Sequence, residues 1–320
     1  MNKKLSKLKT SKYYGIGLLL GIALIVWLFF KILVPQNFGT STLMKGYLQT
    51  SIQYAVGGCG LYFIVVMGLF DFSVGANVVL SALVGVYLSR SFGLLGLILG
   101  CIICGTLIGV FNGFLYTTFK IPSIIVTIGL MLILESIANY VLNNDPSPNP
   151  GKLPSNLLIF NRAPWNYVVA ISAFLLMGFI LHYTKIGTYS NAIGSNELVA
   201  KTMGINVTKY KLLGFVFLHL FVGIMALLTV SYGSGMLAVT GMASMDRNFK
   251  PLMGTFFGIA FKKYNVPVLA IIIGEFIITL IFNGLVSLNV PTTINSFATG
   301  AVLLIIVTLT NRGPKGAVVK

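Results

Sequence analysis

Long apolar runs without a charged side chain alternate with short polar segments along this chain. The uncharged runs cover residues 46–70, 72–89, 91–119, 163–184, 212–245 and 276–311. A helix of about 20 residues crosses a hydrocarbon core of about 30 Å, so each run is long enough to span a membrane. The runs are continuously apolar and do not alternate residue by residue, which favours helices over the strands of a membrane barrel. We therefore predict an all-α, polytopic membrane protein.

The lengths of the runs and the gaps between charges predict about ten transmembrane helices in one domain. The domain covers residues 1–320, and the predicted spans are residues 13–34, 47–69, 73–90, 93–118, 122–142, 165–184, 212–231, 248–261, 265–284 and 294–310. The first run has no small-residue cleavage site after it, so it is predicted to stay in place as a span and not to be a signal peptide.

Basic residues predict the orientation of the spans. Five lysines precede the first span in the tail 1–12, and four more lie in the loop 185–211. The positive-inside rule places both segments in the cytoplasm, together with the C-terminal tail 311–320. The Pro-rich loop 143–164 then lies outside.

The overall composition agrees with a membrane protein and excludes several other classes. Charged residues make up 9% of the chain, whereas soluble domains carry about a quarter. The net charge of +16 comes from Lys and Arg at span ends, so we predict no nucleic-acid partner. Cys101 and Cys104 share one apolar span with no His or acid beside them, which predicts neither a metal site nor a disulfide. No phosphate-binding loop and no paired nucleophile and base occur, so we predict no enzymatic activity and no bound cofactor.

A turn pattern recurs in the two halves of the chain. Phe-Asn-Gly at 111–113 precedes Pro122, and Phe-Asn-Gly at 282–284 precedes Pro291. The predicted topology puts the first turn inside and the second outside, which indicates an inverted-topology repeat relating spans 2–5 to spans 7–10. Such turn signals are common, so chance agreement is the alternative.

Polar residues that interrupt apolar runs are the candidates for a translocation pathway or a helix break. Asp71, Ser73 and Gly75 separate the second and third spans. The favoured interpretation is a cap on the next helix, and the alternative is a half-helix whose N-terminus points into a central pathway. Glu135 and Glu275 lie in the middle of the fifth and ninth spans. A carboxylate at membrane depth is a functional candidate by default, and a neutral, hydrogen-bonded acid is the alternative.

The loop 185–211 is the longest polar segment between two predicted spans on the cytoplasmic side, and it predicts one short amphipathic helix. Its Asn-Ala-Ile-Gly-Ser-Asn-Glu core, residues 191–197, resembles the cytoplasmic loop of ABC importer permeases of the ribose and branched-chain amino-acid type. Asp-Phe-Ser-Val-Gly at 71–75 looks like the Asp-Leu-Ser-Val-Gly of the monosaccharide branch, and Phe-Asn-Gly-Leu at 282–285 resembles its Asn-Asn-Gly-Leu. The branch's Gly-Gly-Thr-Ser-x-x-Gly-Gly stretch is replaced at 254–260, which leaves room for a divergent or heterodimeric member.

This resemblance implies the permease subunit of an ATP-driven importer in a bacterial cytoplasmic membrane. The implied partners are a cytoplasmic ABC ATPase that uses the ATP, a second permease copy or a sister permease, and an extracellular or periplasmic solute-binding protein, all around a lipid-embedded body. The residues expected to couple to the ATPase are Gly194, Asn196, Glu197 and Gly204. The resemblance favours a monosaccharide such as ribose, with a nucleoside or a branched-chain amino acid as alternatives.

Two rival interpretations remain from the residues themselves. An ion-coupled secondary transporter would use Asp71, Glu135 and Glu275 as titrating groups. A non-transporting membrane partner would bind an ATPase but pass no solute. Neither His182 nor His219 stands near a second ligand-type residue along the sequence, so both histidines are interpreted as structural.

Overall fold

In the computed structural model, residues 11–310 are described, and most of them lie in α-helices. The α-helices are α1 (Lys12–Leu33), α2 (Ser41–Val65), α3 (Val74–Phe119), α4 (Ser123–Asn143), α5 (Trp165–Tyr183), α6 (Lys185–Ser195), α7 (Glu197–Thr202), α8 (Val207–Tyr232), α9 (Asp246–Ala260), α10 (Pro267–Ser287) and α11 (Thr292–Thr310). Short 3-10 helices cover Ser155–Asn161, Ala243–Met245 and Lys262–Tyr264. The tail 311–320 and residues 1–10 of the predicted N-terminal tail lie outside the described part.

Six helices in the described part are long and apolar enough to cross a membrane, namely α1, α3, α4, α5, α8 and α10. This confirms the prediction of an all-α polytopic membrane protein. Helix α3 is 46 residues long and holds one non-helical residue, Gly93, with φ 58° and ψ −139°. Glycine adopts this backbone conformation without a Cβ clash, and it lies at the start of the predicted fourth span. The total of ten spans and the inverted repeat stay predictions.

The two arms of α3 pack against each other through small residues. A Cβ on Gly100 would meet the Cα of Gly85 at 2.8 Å, so only glycine allows this approach. Cys101 is fully buried in the same contact. Small residues permit close helix packing inside a membrane, where apolar burial alone provides little driving force between helices.

The described chain divides into two compact units, each with its own core. The first unit holds residues 11–55 and 252–310, and the second holds residues 56–251. In the first unit, α1 packs against α10, and a core forms around Phe30, Phe38 and Leu280. Gly284 faces the ring of Phe30 with no room for a side chain.

In the second unit, α3 packs against α8 at very short range. A Cβ on Gly105 would meet the Cα of Gly223 at 2.9 Å, and a Cβ on Gly109 would meet the Cβ of His219 at 2.6 Å. The glycines therefore bring the backbone of α3 onto α8. This packing places His219 among the polar side chains of α3.

The recurring Phe-Asn-Gly pattern lies near the ends of helices and not in the turns themselves. Asn112 and Gly113 lie inside α3, within the predicted span 93–118, and the chain turns at Lys120, which has φ 54°, before Pro122. Asn283 likewise lies inside α10. In α3 the Asn112 side chain binds Asp71, while Gly113 admits Leu212 of α8.

Candidate functional site

Residues 67–73, which we call the break, separate α2 from α3. Oδ1 of Asp71 accepts a hydrogen bond from the backbone N–H of Ser73 at 2.7 Å and from its hydroxyl at 2.6 Å. Both side chains are buried. Asp71 therefore holds the chain in the turn that leads into α3.

Two further backbone amides of the break bind side chains of α4. The N–H of Phe70 donates to Oγ of Ser123 at 3.2 Å, and the N–H of Phe72 donates to Oγ1 of Thr127 at 3.1 Å. Ser123 and Thr127 are one turn apart, so they share a helix face. Buried backbone outside a helix requires such partners, because an unpaired N–H group away from water is costly.

A further clamp on the break comes from the start of α9. Nδ2 of Asn248 donates to the carbonyl oxygen of Phe72 at 2.6 Å, and its Oδ1 accepts from the N–H of Gly75 at 2.5 Å. Gly75 also lies against the carbonyl oxygen of Ser244, with no room for a Cβ. The entrance to α3 is therefore fixed directly on the entrance to α9.

The second oxygen of Asp71 is the centre of a buried polar cluster. Oδ2 accepts from Nε2 of His219 at 2.9 Å and from Nδ2 of Asn112 at 2.6 Å. Asp71 is 5% exposed, and His219 and Asn112 are fully buried. The cluster joins the break to α3 and α8 inside the second unit.

The other ring nitrogen of His219 faces the side chain of Asn77. Nδ2 of Asn77 lies 2.5 Å from Nδ1 of His219 and 3.3 Å from the carbonyl oxygen of Gly105, while Oδ1 of Asn77 accepts from the Ser81 hydroxyl at 2.6 Å. This orientation of the Asn77 amide makes Nδ1 an acceptor and leaves Nε2 as the donor to Asp71.

Little in the amino-acid sequence indicates this cluster. His219 lies 148 residues from Asp71, so its role as a partner is invisible to local spacing. The one usable signal is the presence of amides at Asn77 and Asn112 within uncharged apolar runs. An amide in such a run requires a polar partner, because an unmatched amide in lipid is costly.

Glu135 binds backbone on the entrance to α9. Oε2 accepts from the N–H of Met242 and Oε1 from the N–H of Ser244, both at 2.9 Å. The side chain is 2% exposed. The three side chains of α4 that make these contacts are spaced by four or eight residues, namely Ser123, Thr127 and Glu135. One face of α4 therefore binds both the break and the segment before α9.

Glu275 occupies a comparable position in the first unit. Its Oε1 accepts from the N–H of Gly254 at 3.0 Å, and the residue is fully buried. A Cβ on Gly254 would meet Cδ of Glu275 at 2.7 Å, so the carboxyl group requires a glycine opposite it. Both acids therefore bind backbone N–H groups of neighbouring elements.

The predicted coupling loop forms two short helices, α6 and α7, and not the single helix expected. The helices are separated at Asn196, whose Oδ1 accepts from the N–H of Val199 at 3.1 Å and so caps α7. Gly204 ends the pair with φ 81°, a conformation that favours glycine. Residues 207–211 already belong to α8.

Two residues of this loop anchor it to the rest of the second unit. Gly194 of α6 lies against the carbonyl oxygen of Val66 at the end of α2, with no room for a Cβ. Both carboxylate oxygens of Glu197 accept from Nζ of Lys211 at 2.9 Å, and the same Nζ lies 3.3 Å from the Tyr116 hydroxyl. Glu197 is thus already engaged within the chain.

The loop also exposes an apolar patch, which we define as Leu198, Val199 and Met203. These side chains are 76%, 50% and 74% exposed. They lie on and just after α7, in a segment that also carries Lys185, Lys201 and Lys209. Sequence reasoning singled out the polar residues of this loop and passed over its apolar ones.

Six apolar helices in the described part, each long enough to cross a membrane, define a polytopic membrane protein. Residues 43–307 match the family described as "Branched-chain amino acid transport system / permease component", and the chain belongs to this family.

Among curated relatives, the autoinducer 2 import system permease protein of Yersinia pseudotuberculosis is 27% identical over 83% of this chain and 75% of its own length. The ribose import permease protein of Escherichia coli strain K12 is 24% identical over 91% of this chain and 92% of its own length. The ribose import permease protein of Haemophilus influenzae is 25% identical over 87% of each chain. No solved structure matches the chain.

Proposed function

We propose that this chain is the transmembrane subunit of an ATP-binding-cassette importer that carries a monosaccharide across a bacterial cytoplasmic membrane. Membership of the permease family and similarity to the ribose and autoinducer 2 import permeases support this. A nucleoside or a branched-chain amino acid is the alternative cargo.

The contacts of the buried acids favour this function over an ion-coupled secondary transporter. Both oxygens of Asp71 accept hydrogen bonds from neighbouring side chains or backbone, and both oxygens of Glu135 accept from backbone amides. A carboxylate that exchanges an ion during transport has to give up such partners in each cycle. These two acids instead hold the break and the entrance to α9 in place.

The single observation that carries the proposal is the exposed apolar patch on α7. Leu198 and Met203 are each about three-quarters exposed in an otherwise polar loop. Exposed apolar residues rimmed by polar ones mark protein interaction sites, and the surrounding lysines suit an acidic rim on the partner. We assign this patch to a cytoplasmic ATPase, whose surface would present an apolar groove with acidic edges.

A cavity in the same unit suits a second partner. It has a volume of about 680 Å³ and is lined in part by Lys152, Ser155, Ser234 and Arg247. Lys152 and Gly235 form a β-bridge that joins the Pro-rich loop 143–164 to the segment after α8. Two basic side chains in an open cavity favour an acidic surface, and we assign it to the solute-binding protein on the outer face.

The remaining parts of the assembly follow from the same proposal. Two permease chains, either identical or sister chains, would surround the pathway, with both termini of each chain in the cytoplasm. Each chain would cross the membrane about ten times, with spans 2–5 and 7–10 related as an inverted repeat. ATP binding would close the ATPase pair, displace α6 and α7, and rock the repeats between inward and outward access.

Reconstitution with the ATPase in lipid vesicles tests the docking role of the patch. Leu198→Asp and Met203→Asp should weaken ATPase binding by at least about tenfold, equivalent to about 1.4 kcal/mol. Ser195→Asp adds the same charge at an exposed polar position of the loop and serves as the control. Unchanged ATPase binding in both patch variants, or uptake by the permease alone that an uncoupler abolishes, would refute the proposal.

A further inference from the structure

The part of the coupling loop that precedes α8, residues 185–206, is anchored to the rest of the second unit along two separate routes. The first route runs from Gly194 to the carbonyl oxygen of Val66, five residues before Asp71 in the break. The second route runs from Glu197 to Lys211 near the start of α8. A displacement of the loop by a partner would therefore reach both α2 and α8.

The second route leads along one face of α8 to His219. Lys211, Phe215 and His219 are spaced by four residues, so they lie above one another on successive turns. The Phe215 ring packs on Tyr116 with 5.4 Å between ring centroids, which keeps this face of α8 in contact with α3. A rigid helix carries a shift at Lys211 to His219.

The two routes meet at the bond between Asp71 and His219. Nε2 of His219 lies 2.9 Å from Oδ2 of Asp71, and both side chains are fully buried. Breaking a hydrogen bond to a buried carboxylate costs free energy, because neither lipid nor water can replace the lost partner. The bond therefore resists separation of the break from α8.

The neighbours of the pair hold it in one arrangement. Asn112 donates to the same oxygen of Asp71, and Asn77 binds the opposite ring nitrogen of His219. Gly109 of α3 leaves space for the imidazole ring. Apolar side chains could pack these helices equally tightly, but they would not fix the register of one helix against the other. The polar pair supplies this register.

We propose that Asp71 and His219 form a positioning pair for transport, which makes the break and α8 move as one body when the ATPase displaces the loop. This rests on the proposed function. Without the pair, the ATPase would still dock and hydrolyse ATP, but the movement would reach the break and α8 unequally. The measurable consequence is a lower ratio of solute imported to ATP hydrolysed.

The test uses the full permease–ATPase complex in vesicles, with ribose as the solute probe, and measures uptake and ATP hydrolysis together. His219→Leu removes the donor and should lower uptake per ATP by about fivefold, with ATPase binding retained. His219→Gln keeps a donor and an acceptor and should restore the ratio to near the wild-type value. Ser231→Ala, a buried α8 residue that bonds only within its own helix, is the control for packing.

A double-mutant cycle completes the test. If the pair acts as a unit, Asp71→Asn combined with His219→Leu lowers the ratio no further than either change alone. Equal falls in uptake, hydrolysis and melting temperature in every variant, or an unchanged ratio in His219→Leu, would overturn the inference. Absence of ATP-driven uptake in the wild-type complex would instead refute the proposed function, so the two failures are distinguishable. Should His219→Leu not fold, Asp71→Asn takes its place: it should lower the ratio, whereas His219→Gln keeps it near the wild-type value, and equal ratios in these two variants would overturn the inference.

Discussion

Gly194 of α6 lies directly against the carbonyl oxygen of Val66, so that a methyl group at this position would overlap the oxygen. The contact joins a loop to main chain and involves no side chain on either residue. Val66 immediately precedes the break that leads to Asp71. A change of a single methyl group at Gly194 therefore acts on the backbone next to the buried cluster.

We expect Gly194→Ala to displace α6 from the end of α2, because the carbonyl oxygen is main chain and has little freedom to move aside. Overpacking of this kind costs about 1–3 kcal/mol. The melting temperature in detergent and the uptake per ATP should both fall. Gly178→Ala in α5 is the matched control, since nothing lies within 4 Å of its added Cβ. Equal effects of the two substitutions would contradict the prediction.

The contacts of Glu135 predict that its two acceptor oxygens contribute more to the stability of the protein than its negative charge does. Glu135→Leu would leave the N–H groups of Met242 and Ser244 without their partner, at about 1–3 kcal/mol for each buried group. Glu135→Gln keeps one acceptor oxygen, so its melting temperature should fall by a clearly smaller amount. Ser136→Ala, on the exposed side of the same turn, should have no effect.

Thermal unfolding in detergent together with uptake in vesicles separates the two roles open to Glu135. If both variants abolish uptake while keeping the wild-type melting temperature, the carboxylate acts in transport itself and the structural role is wrong. If stability and uptake decline together, and more for Leu than for Gln, the anchoring role is supported.

The apolar pattern predicted the long helices closely because lipid leaves the backbone no alternative to helical hydrogen bonding. Helix Ser123–Asn143 was predicted as 122–142, and the arms of Val74–Phe119 were predicted as two spans that separate near Gly93. The break was also visible, because one carboxylate with flanking glycines interrupts an apolar run.

The partners of the buried residues could not be predicted in the same way. Asp71 and His219 are brought together by glycines that allow α3 to approach α8, and no local spacing encodes that approach. Asn112 followed by Gly113 has the composition of a turn, yet tertiary contacts with Asp71 and Leu212 keep it helical. The split of the loop at Asn196 depends on one side-chain cap, which the amphipathic pattern alone did not reveal.

Gly254 should tolerate no side chain as long as Glu275 is present. Gly254→Ala would place a Cβ 2.7 Å from the carboxyl carbon of Glu275, so we expect a loss of about 1–3 kcal/mol. Thermal unfolding measures the loss, and Gly21→Ala in α1 of the same unit, with open space around it, is the control. Replacing Glu275 by Ser in the Gly254→Ala background should recover part of the stability. No recovery would show that the clash lies elsewhere.

The ion pair between Arg90 and Asp145 predicts a pH-dependent contribution to stability. Nη2 of Arg90 donates to Oδ2 of Asp145 at 2.8 Å. The hydrogen bond from Arg90 is the main cause that holds the pKa of the Asp145 carboxyl below its ordinary value. A lowered pKa means that the folded state favours the charged form. The stabilisation is therefore present above the unfolded pKa of about 3.9 and is lost as the pH falls through the lower, folded value.

Arg90→Gln should remove this contribution, so its melting temperature should lie below that of the wild type at pH 7. The difference between the two should shrink as the pH falls below about 4, because protonated Asp145 no longer gains from the guanidinium. Arg162→Gln changes a basic residue of the same 143–164 loop that has no carboxylate partner within residues 11–310, and its effect should not depend on pH in this range. A constant difference between Arg90→Gln and the wild type from pH 7 to about pH 3 would show that Arg90 stabilises the protein through packing and not through the charge of Asp145.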